Sequence, residues 1–370
     1  MTMTEKKTKV QDLFVPWLLT APEYSTAILD KAWAQPECGR MMLNENPVPP
    51  SEKVVNAVTE IVKKGNRYPD SMLRLKTKLA ELHGVGPENI ALANGSSETI
   101  DAAMRIFMQP GDEFLLSDPT FEMYPSRAGL CGAKSVQIPL RESDLQYDVN
   151  AMLAAVNEQT KLMLIINPNN PTGIFIDDAD LIKFCELGIP LDIDEAYLDY
   201  HPAVADKTGL IKKYPHVFLS HTFSKAFGLA GVRFGYVVAV PELAEAFTKM
   251  YLPWNVSLMA MAAAEAILDN PEEVKAKVKY NNDWMDTFAM ELEAVGLKPY
   301  PAHGNYMLID GTMTGKTTAE ILKAGMDMEK LFLKSIKPIH GKDGYFRVTP
   351  GTPEECERFV RFVRNYFGNH

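Results

Sequence analysis

The stretch Ser220-His221-Thr222-Phe223-Ser224-Lys225-Ala226-Phe227-Gly228-Leu229-Ala230-Gly231-Val232-Arg233-Phe234-Gly235 decides how the rest of the chain is read. The apolar run Val217-Phe218-Leu219 before it predicts a buried strand ending in a turn. Thr222, Ser224, Lys225 and Arg233 then arrive in quick succession. Two hydroxyls and a guanidinium suit a phosphate, because hydroxyls donate neutral hydrogen bonds and the guanidinium offers a planar fork. Lys225 lies among Phe223, Ala226 and Phe227, where loss of water lowers the pKa of an amine and makes it nucleophilic. Read alone, the same residues also fit a surface Ser/Lys turn followed by a glycine-containing loop.

Two upstream stretches favour the chemical reading. Asp194 closes the apolar run Pro190-Leu191-Asp192-Ile193-Asp194, and Glu195-Ala196-Tyr197 follows. A carboxylate at a strand end can keep a pyridine nitrogen protonated, so that the ring accepts carbanion charge. Tyr197 is then placed to donate to a ring oxygen. Ile165-Ile166 ends another strand in Asn167-Pro168-Asn169-Asn170-Pro171-Thr172-Gly173, which offers Asn170 as a second donor. Asp194 and Lys225 are 31 residues apart, enough for one crossover and the next strand of a single sheet. A phosphate cradle, a pyridine partner and a lysine able to form a Schiff base together point to pyridoxal phosphate (PLP).

The Asn170-Pro171-Thr172-Gly173 loop, the Asp194-Glu195-Ala196-Tyr197 strand end, the Ser224-Lys225 pair and Arg233 resemble fold-type-I PLP enzymes of the class I/II aminotransferase family. The order of these motifs and the start at Asn44-Glu45-Asn46-Pro47 are most similar to the histidinol-phosphate aminotransferase branch, from Leu43 to the C-terminus. The resemblance implies an α/β fold: a large domain with a mainly parallel sheet between helices, plus a smaller α+β domain. It implies that Lys225 carries PLP and moves a proton, that Asp194 supports the pyridinium, and that Tyr197 and Asn170 tune the ring oxygen. Ser96, Ser97, Thr222, Ser224, Arg233 and Tyr68 of the partner subunit would hold the phosphate, which makes the protein a homodimer with shared sites. Phe121, in Pro119-Thr120-Phe121, would stack on the ring. Arg347 would receive the substrate's carboxylate or, in that branch, its phosphate, with Tyr24, Asn305 and Lys337 completing the substrate side. Simpler readings stand beside these. Ser96 and Ser97 also fit plain N-capping, Tyr68 and Tyr24 local packing, and Arg347 a surface strand. The chain departs from the branch at Lys337, where an arginine precedes proline, and at Val48, where an aromatic follows Asn-Glu-Asn-Pro; lysine does not replace arginine at a bidentate phosphate site.

Alternating strands and helices to about Pro253 predict a parallel-type sheet covered on both faces, with functional loops at strand C-terminal ends. The expected division is an arm over residues 1–42, a large PLP-binding domain over 43–253 and a small C-terminal domain over 254–370. Residues 1–10 are polar and expected to be mobile. Leu13, Phe14, Val15, Trp17, Leu18 and Leu19 are too apolar for a free tail and predict packing over the body or the site. Thr352-Pro353-Glu354-Glu355 reads as a capping box opening the last helix. Gly311-Thr312-Met313-Thr314-Gly315-Lys316-Thr317 imitates a nucleotide-binding loop but has three residues between its glycines where four are required. It reads instead as a loop in which Thr317 or Thr318 caps a helix.

Composition bounds the function. With 370 residues, 46% of them hydrophobic, the chain can bury a large core, and a net charge of −10 argues against nucleic acid and anionic membranes. Four scattered cysteines suit a reducing cytoplasm, seven histidines form no metal-ligand pair, and no apolar run has the ~18 residues of a membrane helix. The expected protein is a cytoplasmic PLP-dependent aminotransferase acting on an amino acid or amine and a 2-oxo acid. A PLP-dependent oxidase or decarboxylase, for instance of a cationic amino acid, would use the same cofactor residues. A non-catalytic PLP- or effector-binding domain is a third class.

Overall fold

A computed structural model describes residues 9–204 and 206–368; the first eight residues of the polar N-terminal segment lie outside the described residues. Seven strands form the large sheet: Ile90–Ala93 (β1), Glu113–Asp118 (β2), Lys134–Pro139 (β3), Thr160–Ile166 (β4), Leu191–Asp194 (β5), Val217–Thr222 (β6) and Gly235–Val238 (β7). Their order is β1-β7-β6-β5-β4-β2-β3, and β7 alone runs antiparallel to its neighbours.

The near-continuous apolar runs of β4 to β6 follow from cover on both faces. Successive side chains point to opposite faces. Met163, Ile165, Leu191, Ile193, Val217 and Leu219 therefore join one core, while Phe114, Leu116, Leu162, Leu164, Ile166 and Phe218 join the other. Asp192 and Asp194 alternate with Leu191 and Ile193, so both carboxyls project from β5 toward the second core, where Tyr124 is packed. β4, β5 and β6 are parallel neighbours, so their C-terminal ends deliver the Asn167 loop, Asp194 and Thr222 to the same edge.

A smaller antiparallel sheet follows, built from Lys298–Pro299 (β8), Met307–Asp310 (β9), Lys334–Ser335 (β10) and Tyr345–Val348 (β11) in the order β10-β11-β9-β8. Its apolar face packs on the helices Pro271–Ala294, Thr318–Glu329 and Pro353–Phe367 through Met285, Phe288, Ile321, Phe346, Phe359 and Phe362. The last helix opens with the expected capping box. Glu355 donates its N–H to Thr352 Oγ1 at 3.3 Å, and Thr352 donates its own to Glu355 Oε2 at 2.7 Å. Such a cap contributes about 1 kcal/mol. Thr317 and Glu320 make the same arrangement where the sequence imitates a nucleotide-binding loop. Gly39–Arg40 pairs in parallel with Leu331–Phe332 in a separate two-stranded sheet, which ties the start of the body to the segment just before β10.

The arm forms two short 3-10 turns, Val10–Leu13 and Pro16–Leu19, and a helix, Ala27–Ala34. As expected it lies on the body: Ser126 donates to the Pro22 carbonyl at 2.7 Å. Leu13, Leu18, Leu19 and Trp33 nevertheless keep exposed faces in the single chain. No described helix is long and apolar enough to cross a membrane.

Candidate active site

The cradle forms where β6, β7 and the helix Ser96–Phe107 meet. Gly95 precedes this helix with φ of 75°, and no side chain caps the first turn. The leading N–H groups of a helix lack intrahelical partners and carry the positive end of its dipole, which makes the turn an anion site. Thr222 donates its hydroxyl to Ser224 Oγ at 3.0 Å. Arg233 reaches across, with Nη1 3.4 Å from Ser224 Oγ and Nη2 3.4 Å from Ser97 Oγ. The structure thus brings Ser96, Ser97, Thr222, Ser224 and Arg233 together. Two glycines keep the cradle open. A Cβ on Gly95 would lie 2.3 Å from Arg233 Nη2, and one on Gly235 would lie 2.7 Å from the Ser96 nitrogen. Exchanging Arg233 for lysine, which keeps the charge but loses the fork, is expected to weaken cofactor binding by about tenfold, measured by equilibrium dialysis.

Next to the cradle, Lys225 Nζ donates to the Asn44 carbonyl at 3.2 Å and lies 5.7 Å from the centre of the Tyr197 ring. Burial first, then the positive charge of Arg347, brings its pKa down to about 8. Asp194 Oδ1 accepts from the Ala196 N–H at 2.9 Å, and its Oδ2 lies 3.0 Å from the Tyr124 hydroxyl. Burial pushes this carboxyl up to about 6, against the pull of those two donors and of Lys225. Tyr197 receives the Asn44 amide at 2.9 Å and the Asn170 amide at 3.5 Å, and burial raises its hydroxyl to about 12, so it stays a proton donor. Asn44 and Tyr124 were not assigned from sequence. Asn44 stands in the quoted Asn44-Glu45-Asn46-Pro47 motif, but its bond to Tyr197 spans 153 residues and has no local signal.

The residues fit PLP. An open anion cradle, a reactive amine and a buried carboxylate with hydrogen-bond donors stand at neighbouring strand ends, and Phe121 is half-buried. The Phe121 ring meets Tyr24 edge-on at 5.8 Å. A cleft of about 600 Å³ runs from Ser97 past Tyr24 to the arm residues Leu18 and Pro22.

On the substrate side, Arg347 is buried and donates to Asn170 Oδ1 at 2.6 Å and to the Met42 carbonyl at 2.9 Å, while its Nε has no partner among the described residues. Two residues expected on this side have partners within the chain. Lys337, read as a substrate contact, has a side chain 83% exposed and pairs with Glu122 at 2.8 Å. Lys334 stands opposite Arg347 in the β10–β11 register instead, and burial followed by the charge of Arg347 lowers its pKa. Asn305 donates to the Glu45 carbonyl at 3.3 Å, which ties it to the Asn44–Pro47 segment. Its Oδ1 is buried without a partner. Tyr68 is 76% exposed, and its ring stacks on Trp254 at 4.4 Å rather than on its own chain's cradle.

Comparison with known proteins agrees with this geometry. The family model described as aminotransferase class I and II matches residues 40–363. The chain is 35% identical over 339 residues to histidinol-phosphate aminotransferase 1 of Idiomarina loihiensis, covering 89% of each chain. It is 37% identical to histidinol-phosphate aminotransferase 2 of Carboxydothermus hydrogenoformans, covering 88% of this chain and 90% of the relative. Among solved structures, the histidinol-phosphate aminotransferase of Sinorhizobium meliloti in complex with pyridoxal-5'-phosphate superposes with a TM-score of 0.85 at 24% identity, covering 95% of this chain and 98% of that one. The chain belongs to the class I and II aminotransferases.

Proposed function

We propose that this aminotransferase, working with PLP, moves the amino group of a phosphate-bearing amine of the histidinol-phosphate kind to a 2-oxo acid. The observation that carries the substrate reading is Arg347, a buried guanidinium that among the described residues hydrogen-bonds only to an amide and a carbonyl, with Lys334 beside it. A buried cation without an anionic partner is costly. An anionic substrate group supplies that partner, and a dianion satisfies two cations better than a carboxylate does. Similarity to the Idiomarina and Carboxydothermus enzymes supports the same reading.

In this reading Ser96, Ser97, Thr222, Ser224 and Arg233 hold the cofactor phosphate, and Phe121 lies along the ring. Bound PLP supplies an electron sink for the pair left when the substrate carbon loses its proton. Asp194 keeps the ring nitrogen protonated. Tyr197 and Asn170 donate toward the ring oxygen. Lys225 Nζ, neutral in part at pH 7 because of its lowered pKa, would take the proton from the substrate carbon and hold it for return as a general acid. Tyr24 closes the pocket above Phe121. The division into an arm (1–42), a cofactor domain (43–253) and a small domain (254–370) belongs to this proposal. So does a homodimer in which the exposed Tyr68 serves the partner's cradle; the apolar surface of Leu73, Leu252 and Trp254 supports it.

The test is a steady-state comparison of histidinol phosphate, histidinol, aromatic amino acids and glutamate, with 2-oxoglutarate as acceptor. The phosphorylated amine is expected to exceed histidinol by about 10²-fold in kcat/KM, the worth of two charge-assisted hydrogen bonds. Equal values for the two would overturn the phosphate assignment, and oxygen-dependent product without an acceptor would overturn transamination.

A further inference from the structure

Beneath Asp194 lies a second carboxyl to which the chemistry above gives no role. Asp192 is 1% exposed, two positions earlier on β5, and points to the same face. The two carboxyls share one hydroxyl: Tyr124 Oη lies 3.1 Å from Asp192 Oδ2 and 3.0 Å from Asp194 Oδ2. The other oxygen of Asp192 accepts from Ser220 Oγ at 2.7 Å. The Tyr124 phenol has a single proton. It cannot serve both oxygens, so two ionised carboxylates would leave one of them buried, charged and short of a donor. Their surroundings are unequal. Asp194 has the Ala196 N–H and lies near the Lys225 amine, whereas the partners of Asp192 among the described residues are the hydroxyls of Ser220 and Tyr124. The other phenols near the pair are bonded elsewhere: Tyr251 with Thr99 at 3.3 Å, Tyr147 to the Ile166 carbonyl at 2.8 Å and Tyr306 to the Asn169 carbonyl at 2.6 Å, while Tyr197 receives the Asn44 amide.

We infer that Asp192 is a positioning residue that stays protonated, donating its carboxyl proton to Tyr124 Oη so that the Tyr124 proton points at Asp194. Every group is then satisfied. Ser220 donates to Asp192 Oδ1, Asp192 Oδ2–H donates to Tyr124, and Tyr124 donates to Asp194 Oδ2. The negative charge rests on Asp194, on the carboxyl that faces the cofactor ring in the proposed function, and this inference rests on that reading. Burial and the neighbouring Asp194 charge raise the pKa of Asp192, in the direction the arrangement requires. The chain of donors fixes the Asp194 carboxylate plane and strengthens each successive bond.

Asparagine is the discriminating replacement, because its amide accepts from Ser220 and donates to Tyr124 as the neutral acid does. Asp192→Asn holoenzyme is expected to keep kcat, KM and cofactor affinity within about threefold of the parent and to keep its visible absorption band. Asp192→Val, which removes the donor, is expected to lower kcat by about tenfold with KM nearly unchanged and to shift that band. Infrared difference spectra of cofactor-free parent against Asp192→Asn are expected to show a protonated-carboxyl stretch at neutral pH that the variant lacks. The inference is overturned by absence of that stretch, by Asp192→Asn losing as much as Asp192→Val, or by a fully active Asp192→Val. If Asp192→Val does not fold, the infrared band and the asparagine variant decide. Failure of the underlying reading looks different: the parent would take up no PLP while the infrared band persisted.

Discussion

Lys225→Ala is expected to lower kcat by about 10⁴-fold while leaving the fold and the phosphate cradle intact. Among the described residues its Nζ is the amine placed beside Tyr197 and the Asn44 carbonyl. With a pKa of about 8, roughly one lysine in ten is neutral at pH 7, against roughly one in three thousand for an ordinary lysine. Single-turnover decay of substrate checks the rate. A companion effect checks the electrostatics. A lysine with a lowered folded pKa disfavours the folded state below that pKa, and the penalty disappears as pH rises from about 8 toward the unfolded value. The penalty is at most about 3 kcal/mol, and less wherever water reaches the amine. The cofactor-free Lys225→Ala protein should therefore melt no lower than cofactor-free parent at pH 7, and the difference should move against the variant toward pH 10. A parent-like kcat in this variant would remove Lys225 from the chemistry.

Arg347→Met is expected to reduce kcat/KM for the phosphorylated amine by 10²–10³-fold, about 3–4 kcal/mol of lost charge-assisted binding. Cofactor affinity should change little, because the cradle is built from other residues. Thermal stability is expected to move by only a few degrees, about 1 kcal/mol in either direction. The loss of bonds to Asn170 and the Met42 carbonyl is offset by removing a buried charge whose pKa is already lowered by desolvation. Parallel melting curves and initial-rate measurements separate binding from folding. A collapse in stability equal to the loss of activity would make Arg347 a structural residue and undo the substrate assignment.

The cofactor side of this site was readable because each motif sits at the end of one strand. Strand termini in parallel register must converge, so Asn170, Asp194, Thr222 and Lys225 are brought together by local sequence plus one rule of topology. The substrate side has no such rule. Lys334 and Lys337 differ by three residues, and the short strand β10 pairs Lys334 with Arg347. The Lys337-Pro338 pair carries no signal that Lys334 is the lysine registered with Arg347. Asn305 is a related case: its amide holds the Asn44 segment across 260 residues, a contact decided by tertiary packing. Alternation marks Asp192 only as an inward-facing position, and its partners Tyr124 and Ser220 are 68 and 28 residues away.

The glycines around the anion cradle bear on how this protein tolerates change. Much of the grip there comes from main-chain N–H groups at the start of the helix Ser96–Phe107, which no side-chain replacement removes. Loss of a single hydroxyl at Ser96 or Ser97 therefore leaves most of the donors in place. Gain of one methyl at Gly95 or Gly235 pushes against Arg233 or the Ser96 nitrogen and distorts the whole ring of donors at once. The positions least forgiving of substitution in the cradle are thus those that carry no functional group.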